Sequence, residues 1–108
     1  MTQPNFSDRD GWIWKNGELR PWREANVHIL THTLHYGLGV FEGVRGYDTP
    51  DGPSLFRVKE HTQRLFDSAH ILGLEIPYSQ SDVVKAQIEV FSANELMEGY
   101  LRPMVYLG

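Results

Sequence analysis

Between His35 and Tyr47 the chain runs from a glycine-rich turn into an extended segment, Phe41-Glu42-Gly43-Val44-Arg45-Gly46-Tyr47, and this stretch narrows the possible folds more than any other. Side chains alternate along a strand, so Phe41, Gly43, Arg45 and Tyr47 share one face. That face carries an aromatic wall, a gap at Gly43 where a ligand can approach the backbone, a fixed cation and a phenol. A core strand has no use for such a face. A pocket lining for a small anionic molecule does. Near the C-terminal end, Tyr100-Leu101-Arg102-Pro103 repeats the device with Tyr100 and Arg102 on alternate positions.

The rest of the chain supplies a frame for those two segments. Residues 1–11 read as a mobile lead-in, and residues 12–108 as one domain. Trp12 to Trp22 reads as a hairpin, because Asn16-Gly17 tolerates positive φ at both turn positions, and Trp12, Trp14 and Trp22 read as packing residues. A short strand is expected over Ala25 to Leu30, then a helical turn over Thr33 to Leu38 ended by Gly37 and Gly39. Phe41 to Tyr47 reads as one strand, with a turn at Asp51-Gly52 and a return over Ser54 to Arg57. Lys59 to Gly73 is the clearest helix, with Thr62, Leu65, Phe66, Ala69 and Leu72 on its apolar face and Gly73 as its cap. A second helix spans Ser81 to Asn94, capped by Ser79 or Ser81, with Val84, Ile88 and Phe91 expected to be buried. Tyr100 to Leu107 closes the chain as a strand, on an edge or starting near Pro103. Strands first, then two helices, then a strand predicts an α+β (open α/β) fold: a small antiparallel-rich sheet with two helices packed on one side.

Several function classes drop out. A formal charge of −4 gives no general attraction to nucleic acid or to an anionic membrane, so any arginine that binds must act locally. No apolar run approaches the roughly 20 residues of a membrane helix. The first ten residues are polar and do not read as a secretory signal, so the sequon at Asn5 carries no weight. The chain has no cysteine, which removes disulfides and thiolate metal sites and suits a cytoplasmic protein. His28, His32 and His35 would share a helix face, but no carboxylate completes a metal motif, so structural hydrogen bonding is the favoured reading and no metal is assigned.

The two aromatic–arginine segments, with the hairpin Trp12-Ile13-Trp14-Lys15-Asn16-Gly17-Glu18 and the helix segment Glu60-His61-Thr62-Gln63-Arg64-Leu65, resemble the N-terminal small domain of the fold-type IV pyridoxal-phosphate aminotransferases. The likeness is strongest to the branched-chain amino acid enzymes and runs from Trp12 to Gly108. It implies transfer of an amino group between leucine, isoleucine or valine and 2-oxoglutarate. It also implies pyridoxal 5'-phosphate as cofactor, and a homodimer or larger homo-oligomer whose active sites are shared between subunits. Arg64 matches the arginine that binds the cofactor phosphate. Tyr36, Phe41, Gly43, Tyr100 and Arg102 match positions lining the substrate pocket, with Tyr36 reaching into the neighbouring subunit. Arg45 is a further substrate-pocket candidate from its place on the strand.

Each role has a plainer rival: for Arg64 an ion pair with Glu60, for Phe41 and Tyr100 core packing, for Arg102 a surface ion pair. Arg45 and Arg102 stand on strands that read as buried, where an unpaired charge is costly, and Glu42, Asp48 or Glu60 are the candidate partners of Arg45. The reaction also needs a reactive lysine to carry the cofactor. Lys15, Lys59 and Lys85 lie in no motif of that kind, so no catalytic residue is assigned here. The lysine is expected on a larger domain beyond residue 108, and this chain alone is expected to be inactive. A D-amino acid transaminase or aminodeoxychorismate lyase of the same fold, and a non-catalytic domain that binds small anions, remain the alternatives.

Overall fold

A computed structural model describes residues 6–108 of the chain. Positions 1–5 of the expected lead-in, and with them the asparagine of the sequon, lie outside the described residues. From Phe6 onward the segment is held: Arg23 bonds Asp8 at 3.0 Å and also Asp10, and the Trp22 indole donates to the Phe6 carbonyl.

Two helices carry the core. The first, α2, spans Val58–Ile71, and the second, α3, spans Gln80–Ala93; a five-residue helix, α1, precedes both at His32–Tyr36. Helix α2 ends as its glycine predicts. Gly73 sits at φ 72°, its N–H bonding the His70 carbonyl while Leu74 N–H returns to Ala69 at 2.8 Å, a pairing that satisfies carbonyls the helix would leave bare. Helix α3 opens on a reciprocal cap, in which the Ser79 hydroxyl takes the Asp82 amide and the Asp82 carboxylate takes the Ser79 amide.

Every strand pairing is antiparallel. Strands β1 (Trp12–Lys15) and β2 (Glu18–Pro21) form the expected hairpin around Asn16 and Gly17, at φ 50° and 96°. Its Trp14 meets Tyr78 edge-on, and Asn94, just past α3, exchanges two hydrogen bonds with the Trp12 backbone. Strand β3 (Gly39–Phe41) pairs with β7 (Met104–Tyr106), while β4 (Val44–Thr49) runs between β5 (Gly52–Leu55) and β6 (Gly99–Leu101). The architecture is α+β, with three small sheets among the described residues where one was expected.

Four readings change. Residues 25–30 form no strand; Ile29 and Leu30 stand exposed, and no neighbouring strand pairs with them. The expected strand over Phe41 to Tyr47 breaks at Glu42 and Gly43, because β3 and β4 pair with different partners. The closing strand breaks in the same way at Arg102 and Pro103. On α3 the buried residues are Val83, Ala86, Gln87 and Phe91, and Ile88 is exposed. Gln87 explains the rotation: its amide reaches the Thr62 hydroxyl of α2 at 2.9 Å, so a polar pair occupies part of the helix–helix seam.

Phe91 locks α3 beneath the central sheet. A Cβ on Gly46 would overlap the Phe91 ring, and one on Gly99 would come within 3.5 Å of it; these glycines face each other across β4 and β6. Gly46→Ala is therefore expected to destabilise the protein by about 1–3 kcal/mol through overpacking. A lowered denaturant midpoint at unchanged slope would show this, and adding Phe91→Leu should recover part of the loss.

Candidate functional site

The alternation along β4 turns Val44 and Gly46 inward and Arg45 and Tyr47 outward. Outward exposure corrects the expectation that Arg45 and Arg102 occupy buried positions: both are exposed, Arg45 on β4 and Arg102 in the link between β6 and β7. None of Glu42, Asp48 and Glu60 pairs with Arg45; Glu42 is engaged elsewhere and Glu60 faces Arg57 at 4.0 Å.

Four of the candidate residues converge. The Arg102 guanidinium lies 4.6 Å from the centre of the Phe41 ring and 5.7 Å from that of Tyr100, with the Tyr100 hydroxyl 3.4 Å from Nη2. Such a cation is attracted to the ring faces while it remains open to solvent. Gly43 lies against the same tyrosine. A Cβ there would overlap the Tyr100 hydroxyl, so the gap expected for a ligand is taken by the phenol. Register puts Arg45 directly opposite Tyr100, and both are exposed, so Arg45 flanks this cluster.

Tyr36 lies apart from them. It stands at the end of α1, with 69% of its surface exposed and its ring beside His32 and His35. The histidines serve the backbone: the His35 ring meets the Ile29 carbonyl at 2.7 Å, and His28 accepts the Leu30 amide at 3.0 Å. Among the described residues, no group of three or more histidines and carboxylates is placed to hold a metal ion.

Arg64 projects from α2 with 70% of its side chain exposed, and its Nε meets Glu42 Oε1 at 3.1 Å. Its ion pair is thus with the β3–β4 junction, not with Glu60 as the plainer rival reading had it. Glu42 itself is only 8% exposed, and its second oxygen lies 3.3 Å from His61 Nδ1. Sequence reasoning missed this role for Glu42. The available signal was its position on the inward side of an alternating strand, where a carboxylate must find donors. A surface cleft of about 340 Å³ lies at the far end of α2 among Phe66, His70 and Leu74 and includes none of these residues.

The antiparallel α+β domain thus gathers Arg102, Phe41 and Tyr100 at one exposed cluster flanked by Arg45. The chain belongs to the class IV amino-transferase family, whose profile matches residues 39–108. It is 56% identical over 104 residues to the branched-chain-amino-acid aminotransferase of Pseudomonas aeruginosa, covering 96% of this chain and 34% of that protein. The Escherichia coli K12 enzyme of the same name is 44% identical over 97 residues, covering 90% of this chain and 31% of that one. Among solved structures, the T.th. branched-chain amino acid aminotransferase complexed with N-(5'-phosphopyridoxyl)-L-glutamate superposes with a TM-score of 0.90 at 43% identity, over 93% of this chain and 34% of that one. The chain spans about a third of the length of these relatives.

The close approach of Tyr100 to Gly43 gives a direct test. Gly43→Ala is expected to displace the tyrosine, and pairing it with Tyr100→Ala should show a coupling of about 0.5–3 kcal/mol in a double-mutant unfolding cycle.

Proposed function

We propose that this domain is the anion-gripping part of a pyridoxal-phosphate-dependent branched-chain amino acid aminotransferase, moving an amino group between leucine, isoleucine or valine and 2-oxoglutarate. The observation that carries this reading is Arg102 lodged over Phe41 beside Tyr100. One surface must accept an apolar side chain in one half-reaction and a carboxylate-bearing one in the other. Phe41 offers apolar contact to the first. Arg102 offers a planar, permanently charged fork to the distal carboxylate of the second. Tyr100 is a hydroxyl donor for the α-carboxylate, and Arg45 adds positive potential from the neighbouring strand.

Arg64 suits the phosphate of the cofactor. Its Nε lies 3.1 Å from Glu42 Oε1 in an ion pair, and its terminal nitrogens make no hydrogen bond among the described residues, so they can serve a phosphate oxygen pair. When bound, pyridoxal phosphate supplies the electron sink for the chemistry, while the residues of this chain bind and orient. The reactive lysine is then supplied from outside these residues. Lys15 is tied to the Asn26 carbonyl at 2.6 Å, and Lys59 and Lys85 are exposed on helices. The chain on its own is accordingly proposed to be inactive.

Shared sites between subunits of a homo-oligomer follow from the same reading. Tyr36 stands free of the Arg102 cluster at the end of a segment that exposes Ile29, Leu30 and Leu34, apolar surface of the kind that contacts another chain or domain. A cytoplasmic location goes with the amino acid substrates; among the described residues no helix is long and apolar enough to cross a membrane.

Two substitutions in the natural full-length product test the assignment. Arg64→Ala should weaken cofactor retention by roughly 10- to 100-fold, the worth of about 1.5–3 kcal/mol for charged hydrogen bonds. Unchanged cofactor absorbance after dialysis would remove Arg64 from the phosphate. Arg102→Ala should lower kcat/KM for glutamate and 2-oxoglutarate by about tenfold more than for leucine, as loss of one charge-assisted contact requires. Equal losses would exclude the distal-carboxylate role.

A further inference from the structure

We infer that Glu42 is a positioning residue for Arg64, holding the inner edge of its guanidinium so that the outer edge is presented to a phosphate monoester. This rests on the proposed reading of Arg64 as the phosphate contact and extends it to a residue on another element. Glu42 is nearly buried, although Phe41 beside it is largely exposed. A carboxylate withdrawn from water needs donors for both oxygens. Oε2 is hydrogen-bonded with His61 Nδ1 at 3.3 Å, and Oε1 forms a close ion pair with Arg64 Nε at 3.1 Å. The Glu42 amide donates to the Pro103 carbonyl at 3.0 Å, so its backbone is pinned to the link that also carries Arg102.

A guanidinium has five N–H donors in one plane. With Nε 3.1 Å from Glu42 Oε1, the guanidinium is tethered at one edge by charge, and none of its N–H groups makes a hydrogen bond among the described residues. An arginine free on a helix surface would have to be ordered by its ligand. One already anchored has lost much of that freedom before binding. His61 and Arg64 stand three residues apart on α2, so both side chains reach the same carboxylate from one helix face.

Charge alone predicts the opposite of positioning. Removing the negative Glu42 from beside a phosphate should strengthen binding if field strength were all that mattered. Loss of the anchor should weaken it. The sign of the effect therefore separates the two.

The test uses the full-length protein stripped of cofactor, titrated with pyridoxal phosphate and, separately, with pyridoxal. The ratio of the two dissociation constants isolates the phosphate contribution and needs no turnover. Glu42→Gln is expected to shrink that ratio by about tenfold, the order found when a partner that orients a binding side chain is removed. Arg64→Ala should shrink it at least as much, and the double substitution should be no worse than Arg64→Ala. If Glu42→Gln leaves the ratio unchanged or raises it while Arg64→Ala lowers it, positioning is overturned and the phosphate contact stands. An Arg64→Ala protein with the native ratio removes the phosphate reading itself. Should Glu42→Gln fail to fold, Arg64→Lys serves instead. An ammonium captured by Glu42 has no second edge to offer, so the lysine variant should match Arg64→Ala; retention of the native ratio would overturn the inference.

Discussion

Phe91 fills a notch that a side chain at Gly46 would close, and the geometry of the candidate site follows from that contact. The ring presses α3 against β4 and β6 at the point where Gly46 faces Gly99. Strand side chains alternate, so a slip of one residue would turn Gly46 outward and drive Arg45 into the Phe91 ring. Burying that charge without a partner is far more costly than any gain from altered pairing. The register is thus set from the core side, and it leaves Arg45 opposite Tyr100 on the solvent side. The outward placement of Arg45 beside Tyr100 is in this sense a by-product of how the interior closes.

The three site arginines are held in three different ways. Arg102 rests on aromatic faces, which orient it and leave its charge uncompensated. Arg64 is tied through one edge to a carboxylate shared with His61. Arg45 has no ion-pair partner among the described residues. Only the Arg64 end of the Glu42–Arg64 pair is largely exposed, and solvent screening there limits what the pair adds to folding stability. Glu42 and its neighbours Phe41 and Gly43 lie at the break between β3 and β4, where the strand changes partners. That break brings α2 and the Arg102 cluster to consecutive residues of one segment.

The chain belongs to the class IV amino-transferase family and superposes closely on branched-chain enzymes. The domain described here spans about a third of such relatives. In it Arg102 rests against Phe41 and Tyr100. None of its lysines stands beside them. The segment around Tyr36 stands apart from that cluster and exposes Ile29, Leu30 and Leu34.

Local physics made much of the architecture readable from residue order alone. Asn16-Gly17 specifies a hairpin through its tolerance of positive φ, Gly73 ends a helix for the same reason, and Ser79 with Asp82 starts the next. The outward set Phe41, Gly43, Arg45 and Tyr47 was legible from period-two alternation, which no tertiary contact needs to supply. The family was legible too, because four ordered motifs are preserved together. What stayed hidden depends on partners distant in the chain. Glu42 and Arg64 are joined only when α2 folds back on the β3–β4 junction, and the space over Gly43 is claimed by Tyr100 only once β6 pairs with β4. The rotation of α3 turned on Gln87 finding Thr62 across a helix seam. Short-range backbone preference decided where the elements begin and end; long-range packing alone decided which side chains meet, since those meetings join residues remote in the chain that no local pattern encodes.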